Sequence, residues 1–496
     1  MSRHILRALS LAASVAWGEL RQDPLRAALL GVRLLPAPVR HRARPLERRL
    51  AGRARTAGPA AAPSGVRVPP PPARTVRPVP GRVLHLVTNG LPFKHAGYTV
   101  RTQQIAQAQR AAGLDPHVVT RIGFPVAQGV LDARPVQTVG GVPQHRLLPP
   151  WLPYGQAAGL ARNAELAGRL VERLRPAVLH PATDHGNGRV ALALRAAYGL
   201  PVVYEVRGFL EDTWLTQAPG RTPADPAYRA RRELETHCMR EADLVLTLGA
   251  AMKAEIVARG VPEERVRLVP NAVDEGFLAP LPDGAPLRAR LGIAPDDFVV
   301  GTVSSLTPHE GIGTLLHAGA ELRRRGVPLR LLVVGDGPER AALLRLAGRL
   351  GLDDGTAVFT GRVPHAQVRL YHAVLDMFAV PRTDARVCRL VTPLKPVEAM
   401  ASGLPVVASD VPALRELVQP GATGHLVPPA IPTSLGRCDR TPALQSKRPS
   451  RMGSCRPRVR RTRPHLDVRR RDHPRGVPHP RLRLRGGPAG PATRQG

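Results

Sequence analysis

Cysteine and long apolar runs are both scarce in this sequence of 496 residues. The four cysteines, Cys238, Cys388, Cys438 and Cys455, lie far apart and form neither a C-x-x-C pair nor the spacing of metal ligands. This pattern argues against a disulfide framework and a zinc site, and it fits a reducing cytoplasm. No run approaches the roughly 18 to 20 apolar residues of a membrane-spanning helix. The first twenty residues contain only a short, broken apolar stretch, which is not typical of a signal peptide.

Positive charge is in large excess, but the excess lies outside the central part of the chain. The formal net charge is +34. Residues 1–82 hold 16 Lys and Arg against 3 acidic residues and residues 431–496 hold 18 against 3, which leaves +6 for the 348 residues between them. A uniformly basic protein would indicate nucleic acid or an anionic membrane as its partner. This distribution instead predicts a near-neutral globular protein with basic extensions and no specific nucleic-acid partner.

The N-terminal extension consists of two segments of different composition. Residues 1–55 alternate Leu, Ala and Val with Arg at roughly helical spacing, as in RQDPLRAALLGVRLL. Such a helix could place residues 1–50 on the inner face of the cytoplasmic membrane as a peripheral contact. A helix packed on a domain is the alternative. Residues 56–82 resemble a Pro-rich linker, since they hold too few large apolar side chains to form a core.

The C-terminal segment, residues 431–496, contains no Glu and is rich in Arg and Pro. Proline at this frequency excludes helices longer than a turn or two, so we predict a disordered tail. It could bind nucleic acid, although it lacks the interleaved aromatic residues that stack on bases. It could also be a genuine disordered tail or the product of a shifted reading frame in a G+C-rich gene. We favour the shifted frame, because the composition changes abruptly where a regular domain pattern ends.

Between the extensions, strand-like apolar runs alternate with helical patterns. RVLHLVT, DPHVVTRIG, AVLHPAT and PVVYEVRG are followed by a Pro/Gly-rich stretch at residues 278–295, after which FVVGTVSSL, LRLLVVGDGPE and AVFTGRVP continue the pattern. Repeated β-α-β units predict parallel sheets covered on both faces. We therefore predict an α/β protein with two doubly wound, Rossmann-like domains, residues 83–277 and 296–430. Ligands of such folds bind at the carboxyl ends of the strands, here in the cleft between the domains.

The segment LVTPLKPVEAMASGLPVVASD, residues 390–410, places a lysine and a glutamate at a predicted helix start. There, Lys395 would add a point charge for a diphosphate, and the Glu398 carboxylate could accept two hydroxyl protons from a ribose. A solvated Lys395 and a capping Glu398 are the alternatives. In VVGDGPE, Gly335 would let the backbone approach a ligand, although most such turns only close a β-α unit.

The ordered motifs resemble those of family-4, retaining GT-B glycosyltransferases. The resemblance rests on AGYTVRT, PVVYEVRGFLEDTW, GTVSSLTPHEGIGTLL, LLVVGDGPE, VFTGRVPH and TPLKPVEAMASGLPVVASD, and it covers about residues 83–430. It implies a GT-B fold and transfer of a sugar from a nucleotide-sugar donor with retained anomeric configuration. The implied acceptor is a polysaccharide, a glycolipid or a small glycoside, and neither a cofactor nor a metal bound by a D-x-D motif is expected. A subgroup with the TPLKP signature is the most similar.

The resemblance also implies roles for individual residues. Glu398 matches the second glutamate of the family's E-x7-E motif, which is expected on the ribose of the nucleotide. Thr392 and Lys395 would lie against the diphosphate, and Val363 would meet the base. Lys395 and Arg207 are the predicted catalytic residues, and the predicted donor-binding residues are Glu398, Thr392, Pro393, Leu394, Val363, Arg382, Arg386, Gly335, Ser305 and Gly97.

Several positions depart from the family pattern. Leu390 replaces the first glutamate of E-x7-E, and Ser305 and Glu310 stand where the family keeps an Arg and a Lys on the diphosphate. Arg207 stands where many members have a histidine near the reacting carbon. Because negative charge builds on the leaving group, other cations must supply the missing charge. The candidates are Arg382, Arg386 and Lys395 from the second domain and Arg207 from the first.

Two further expectations follow from the sequence. Surface solvation or an ion pair is the alternative role for each cation, and any of His85, His95, His180 and His185 could be a base or a polar loop residue. A GT-B chain is also expected to return to its first domain in a terminal helix, which residues 431–496 cannot form. We therefore predict that the two domains lack their normal coupling.

Overall fold

The computed structural model describes residues 8–16, 24–34, 43, 46–47, 65, 67–72, 74–153 and 155–429. It confirms the predicted α/β class with two doubly wound, Rossmann-like domains. The predictions for the tail, residues 431–496, lie outside the described residues, as do those for most of residues 1–66. No helix in the described ranges combines the length and the apolar character needed to cross a membrane.

The first domain contains a sheet of parallel strands with one antiparallel edge. Its strands are β1 (Arg82–Val87), β2 (Asp115–Thr120), β3 (Val136–Val139), β4 (Val142–Arg146), β5 (Val178–Pro181), β6 (Val203–Val206), β7 (Leu244–Thr247) and β8 (Val266–Leu268). The order is β3-β4-β2-β1-β5 followed by β6-β7-β8, and the two parts meet through the bridges Leu179–Val202 and Ala182–Glu205. Only β3 and β4 pair in antiparallel fashion among these strands. Parallel neighbours need crossover connections, which helices provide.

The helices of the N-terminal segment and first domain are α1 (Pro24–Leu34), α2 (Gly97–Ala111), α3 (Gln156–Leu174), α4 (His185–Tyr198), α5 (Leu210–Leu215), α6 (Pro226–Glu241) and α7 (Ala250–Ala258). Most of the longer ones bury small or apolar residues. Helix α2 is different, because its buried residues include Thr99, Arg101, Thr102 and Gln103. A buried polar face needs hydrogen-bond partners, so this helix serves a polar site rather than an apolar core.

The second domain has a fully parallel sheet in the order β11-β10-β9-β12-β13-β14. Its strands are β9 (Phe298–Val303), β10 (Leu329–Val334), β11 (Ala357–Gly361), β12 (Met377–Val380), β13 (Val406–Ser409) and β14 (Gly424–Val427). Strands β9 and β10 pair from Phe298 opposite Leu329 to Val303 opposite Val334. The chain order reverses between β9 and β12, which is the point where ligands bind in such sheets.

The helices of this domain are α8 (Ala285–Arg290), α9 (Ile312–Arg324), α10 (Arg340–Arg349), α11 (Val368–His372), α12 (Arg386–Leu390), α13 (Lys395–Ala401) and α14 (Pro412–Arg415). Short 3-10 helices occur at Val126–Gln128, Glu263–Arg265, Glu275–Leu278, Pro308–Glu310 and His365–Gln367. Helix α9 buries Ile312, Leu315 and Leu316 on one face, as its helical spacing predicts. The strands are apolar over most of their length because the sheet is covered on both faces.

The predicted linker at residues 278–295 is wrong in part. It contains α8, and Leu287 and Ile293 are buried in the core of the second domain. Arg288 donates from Nη2 to the carbonyl of Val374 at 2.8 Å. Gly284 precedes this helix and a proline opens it, so the Pro/Gly content marks a helix start rather than a flexible connection.

The predicted linker at residues 56–82 also departs from the structure in its described part. Val68 is buried in the core of the first domain, and the Val79 amide donates to the Arg175 carbonyl at 2.8 Å. Residues 67–72 and 74–81 therefore belong to that domain. Val68 thus anchors a segment whose average composition resembles that of a linker.

The described part of the N-terminal segment follows the alternative that the sequence left open, a helix packed on a domain. Leu11 and Val15, in the helical residues 8–16, are buried together with Val126 and Leu148 of the first domain. Ser14 Oγ accepts a hydrogen bond from the Leu152 amide at 3.0 Å. The apolar side chains that a membrane contact would use are covered by protein at these positions.

Two glycines after β10 are required by a close backbone contact. Gly335 has φ +142, and a Cβ there would lie 1.8 Å from the carbonyl oxygen of Ser304. A Cβ at Gly337 would lie 2.2 Å from the carbonyl oxygen of Leu306. This turn therefore closes on the loop after β9, so its glycines have a packing role.

We predict that Gly335→Ala destabilises the protein by at least about 2 kcal/mol, because the new Cβ meets backbone atoms that cannot yield. Gly97→Ala is the matched control, since nothing lies within 4 Å of a Cβ at that position. Thermal unfolding followed by far-ultraviolet circular dichroism measures both variants. Equal melting temperatures for the two variants would show that the turn can relax.

Candidate functional site

Four polar side chains from three segments of the second domain meet near the carboxyl ends of its strands. Lys395 Nζ donates to Ser304 Oγ and to Glu310 Oε1, both at 2.7 Å. Arg382, just after β12, donates from Nη2 to Glu310 Oε1 at 3.1 Å. We call Ser304, Glu310, Arg382 and Lys395 the cation cluster. With two cations and one carboxylate, it carries one net positive charge.

The carboxylate of the cation cluster is ionised. Burial acts to raise the pKa of Glu310, but the charges of Arg382 and Lys395 outweigh it and hold that pKa well below its ordinary value. Replacement of the family's lysine by Glu310 therefore does not leave this region negative. The carboxylate instead fixes two cations that come from different loops.

Glu398 lies one turn inside α13, and its carboxylate lacks the hydrogen bonds that Glu310 accepts from the described residues. Its residue is 9% exposed, and within the described ranges its carboxylate accepts no hydrogen bond. Burial raises the pKa of Glu398 to about 7, the charge of Lys395 opposes this effect, and Asp274 adds to it. A buried carboxylate without donors is costly. Two hydroxyl groups of a ligand would supply the donors that the protein leaves out.

The segment before α13 leaves a second polar atom unsatisfied. Thr392 is 3% exposed, and its Oγ1 is buried without a hydrogen-bond partner among the described residues. Pro393 is buried and Leu394 half-buried between Thr392 and the helix. Ser305 is exposed beside the buried Ser304. A hydroxyl held in this way can bind a ligand oxygen without first losing another partner.

The remaining predicted residues of this domain have other surroundings. Val363, beyond β11, is half-buried and packs against the apolar core. Gly335 is in backbone contact with Ser304. Arg386 is outside the cation cluster and follows its alternative role, an ion pair. Its Nε lies 3.2 Å from Asp212 Oδ1 and its Nη2 lies 2.6 Å from Glu255 Oε1, both in the first domain.

Direct polar contacts couple the two domains. Besides Arg386, Glu416 accepts hydrogen bonds from the amides of Ala250 and Ala251 at the start of α7, both at 2.7 Å. The side chain of Asn271 donates from Nδ2 to the Thr392 carbonyl at 2.9 Å. Side chains of these loops therefore join the domains in the described part of the chain, whereas the predicted loss of coupling through a terminal helix concerns residues 431–496, which lie outside the described residues.

In the first domain, Arg207 is held beside the start of α2. It donates from Nη1 to the Tyr98 carbonyl and to Thr102 Oγ1, both at 2.7 Å, and from Nη2 to Glu205 Oε2 at 2.5 Å. Gly97 is the first residue of this helix and directly precedes Tyr98. Arg207 thus lies against the carbonyl of the residue that follows Gly97.

Sequence reasoning missed the carboxylate that holds Arg207. Glu205 in β6 is fully buried, and its Oε1 accepts from Arg101 Nε at 2.7 Å. Burial alone would raise the pKa of Glu205, but Arg207, His180 and Arg101 hold it well below its ordinary value. The available signal was a glutamate at the centre of the apolar run PVVYEVRG. A charge there needs buried partners.

The four candidate histidines lie in the first domain, as predicted. His85 and His180 stack with their ring centroids 4.4 Å apart. Burial lowers the pKa of His85 to about 3, and burial lowers the pKa of His185 to about 4. These two rings are therefore neutral at pH 7 and cannot contribute charge to the site. His95 lies in the loop before α2.

Comparison with known proteins identifies two matching regions. The family model "Glycosyl transferase 4-like domain" matches residues 96–272, and the model "Glycosyl transferases group 1" matches residues 297–438. The D-inositol 3-phosphate glycosyltransferase of Rhodococcus erythropolis is 30% identical over 347 residues, which cover 67% of this chain and 75% of the relative. That of Nocardia farcinica is 32% identical over 250 residues, which cover 49% of this chain but only 53% of the relative.

The fold is similar to that of solved GT-B structures. The HepE protein of Anabaena, crystallised with UDP, superposes with a TM-score of 0.56 and covers 73% of this chain and 92% of its own. The sequence identity is 22%, so this likeness establishes the fold alone. The predicted GT-B architecture is confirmed.

The raised pKa of Glu398 predicts a pH-dependent cost of folding. Because its folded pKa of about 7 exceeds the ordinary 4.5, the folded state binds the proton more tightly, and stability falls as pH rises through that interval. Glu398→Gln removes this dependence. We expect the free energy of unfolding of the variant minus that of wild type to be about 2 kcal/mol larger at pH 8 than at pH 5.

Urea denaturation at the two pH values measures this difference. The exposed Glu264→Gln serves as control, since it removes a carboxylate that is not desolvated. A pH-independent difference between Glu398→Gln and wild type would mean that the Glu398 carboxylate is hydrated in the free protein.

Proposed function

This chain belongs to the group 1 glycosyltransferases, and we propose that it transfers a sugar from a nucleotide-sugar donor to a hydroxyl group of an acceptor, with retention of the anomeric configuration. The single observation that carries this proposal is the state of Glu398, a buried carboxylate to which the described residues offer no hydrogen-bond donor. A ribose presents two adjacent hydroxyl groups, which match the two oxygens of one carboxylate. The nucleotide of the donor therefore fits this position.

The cation cluster is suited to the diphosphate that leaves during transfer. Two of the three Nζ protons of Lys395 bond to Ser304 and Glu310, so the third can reach a phosphate oxygen. The free hydroxyl of Thr392 supplies a second donor nearby in the chain. Fixed donors of this kind stabilise charge as it develops, and they do so without reorganising in the reaction. No metal bound by a D-x-D motif is required in this scheme.

Arg207 is our candidate for the contribution of the first domain. Its guanidinium is oriented by three hydrogen bonds before any substrate arrives, and its Nε is buried with no partner in the ranges that the structure describes. A preoriented cation near the reacting carbon would stabilise the sugar–phosphate bond as it breaks. The acceptor class that we propose is a polysaccharide, a glycolipid or a small glycoside, used in polysaccharide or cell-wall synthesis in the cytoplasm.

The names of similar proteins support this choice of substrates. HepE was crystallised with UDP, and two relatives are named for transfer to inositol 3-phosphate. The first name gives a nucleoside diphosphate, and the other two give a polyhydroxylated acceptor. We propose UDP-glucose and GDP-mannose as the first donors to test. One carries a pyrimidine and the other a purine, so the pair shows which kind of base the site accepts.

We predict that Glu398→Gln weakens binding of the cognate donor by about tenfold or more at pH 8, because hydrogen bonds to a charged acceptor contribute about 1.5 to 3 kcal/mol. Wild-type affinity should rise between pH 6 and pH 8, since hydroxyl donors favour the ionised carboxylate. The variant should lose this rise. Isothermal titration calorimetry with UDP-glucose and GDP-mannose measures both effects, with Glu264→Gln as control. An unchanged dissociation constant would contradict the ribose assignment.

We also predict that Lys395→Ala lowers turnover more than donor affinity, because a cation at the leaving diphosphate acts mainly as charge develops. Steady-state release of nucleotide gives kcat, and calorimetry gives the dissociation constant. Arg389→Ala is the matched control, since Arg389 pairs with Asp384 on the exposed side of α12. Equal losses in both parameters would assign Lys395 to ground-state binding instead.

A further inference from the structure

We propose that Glu205 is a positioning residue that fixes the two halves of the site relative to each other. One of its oxygens fixes Arg207 in the first domain, and the other fixes Arg101, which reaches Thr392 of the second domain through Asn271. This inference rests on the proposed function through the roles given to Arg207 and Thr392. We call Glu205, Arg101 and Asn271 the bridging network.

The network begins with a carboxylate that is fully removed from water. Glu205 Oε1 accepts from Arg101 Nε at 2.7 Å, and Glu205 Oε2 accepts from Arg207 Nη2 at 2.5 Å. His180 Nε2 lies 3.4 Å from Oε2. If either arginine left this carboxylate, a buried charge would remain unpaired, which is strongly unfavourable. Glu205 therefore fixes both guanidinium groups at once.

Arg101 carries the constraint to the segment that follows β8. It donates from Nη2 to the Val269 carbonyl at 2.6 Å and from Nη1 to the Pro270 carbonyl at 3.0 Å. The same Nη1 lies 3.3 Å from Asn271 Oδ1. One guanidinium thus holds three consecutive residues of the chain. These residues lead out of the first domain toward the second.

Asn271 completes the connection through both ends of its amide. Its Oδ1 accepts from Arg101, and its Nδ2 donates to the Thr392 carbonyl at 2.9 Å. Since a carbonyl oxygen only accepts, the amide has one orientation that satisfies both neighbours. The position of Arg101 in the first domain therefore determines where the backbone of Thr392 is held.

A substrate site requires polar atoms that are not already paired within the protein, and the bridging network has one at each end. Its inner bonds are satisfied, but within the described part of the chain Arg207 Nε and Thr392 Oγ1, one at each end, are buried without partners. A purely stabilising network gains nothing from unsatisfied ends, and apolar residues would serve stability as well. Each domain thus contributes one unpaired polar atom at an end of the network.

Hydrogen exchange tests the connection without any substrate. In Asn271→Ala and in Arg101→Ala, amides in peptides covering residues 387–395 should exchange about tenfold faster than in wild type, because Thr392 loses its anchor. Glu211→Gln is the matched control, since Glu211 is an equally buried carboxylate paired with Arg259 at 2.7 Å in the same domain. Unchanged exchange in Asn271→Ala, or an equal increase in Glu211→Gln, would overturn the inference.

Turnover tests the positioning role. With UDP-glucose and GDP-mannose as probes, Glu205→Gln should lower kcat for nucleotide release about thirtyfold or more and change the donor dissociation constant less than about threefold. Glu205→Asp, which keeps the charge, should recover part of kcat. The double variant Arg101→Ala/Asn271→Ala should lose no more than Arg101→Ala alone, because both act through one path. Additive losses, or a similar split in Glu211→Gln, would overturn the inference.

The two tests separate this inference from the proposed function. Faster exchange at residues 387–395 without turnover of any donor in the wild-type protein would support the bridging network and contradict the proposed function. Turnover in wild type with unaltered exchange in the variants would support the function and overturn the network.

Discussion

The ion pairing of buried carboxylates is the interaction on which the arrangement of this protein depends. Glu310 holds Arg382 and Lys395 together, and Glu205 holds Arg101 and Arg207. Each carboxylate joins cations from different segments, so removal of one would release two positions at once. Charges that are already paired and oriented do not have to be ordered when a substrate binds, which favours a site assembled in advance.

The contacts between the domains include polar pairs beside an apolar contact of Leu390 and Val391 with the core of the first domain. Arg386 forms ion pairs with Asp212 and Glu255, and Glu416 accepts hydrogen bonds from two amides at the start of α7. Polar contacts of this kind are specific in geometry, but they can exchange for water at lower cost than a large apolar surface. Polar pairs of defined geometry thus help to hold the domains in register beside the apolar contact of Leu390 and Val391.

Periodicity predicted the fold well, because parallel strands and amphipathic helices leave a local pattern in the sequence. Both domains, the order of elements and the placement of Lys395 and Glu398 near one helix start could be read in this way. Residues 278–295 were misread because glycine and proline mark a helix start as well as a linker. The partners of the arginines could not be predicted, since Glu205 is 104 positions from Arg101 and only the folded sheet brings them together.

Glu310 and Glu398 show how its partners decide the pKa of a buried carboxylate. Both are buried in the same domain, yet the pKa of Glu310 lies well below its ordinary value and that of Glu398 is about 7. The difference arises from partners, because Glu310 accepts from two cations and Glu398 accepts from no donor in the described chain. Burial without partners costs stability unless a bound molecule supplies them. In the proposed function, the hydroxyl donors of the ribose relieve this desolvation, so part of the binding free energy is stored at Glu398 in the free protein.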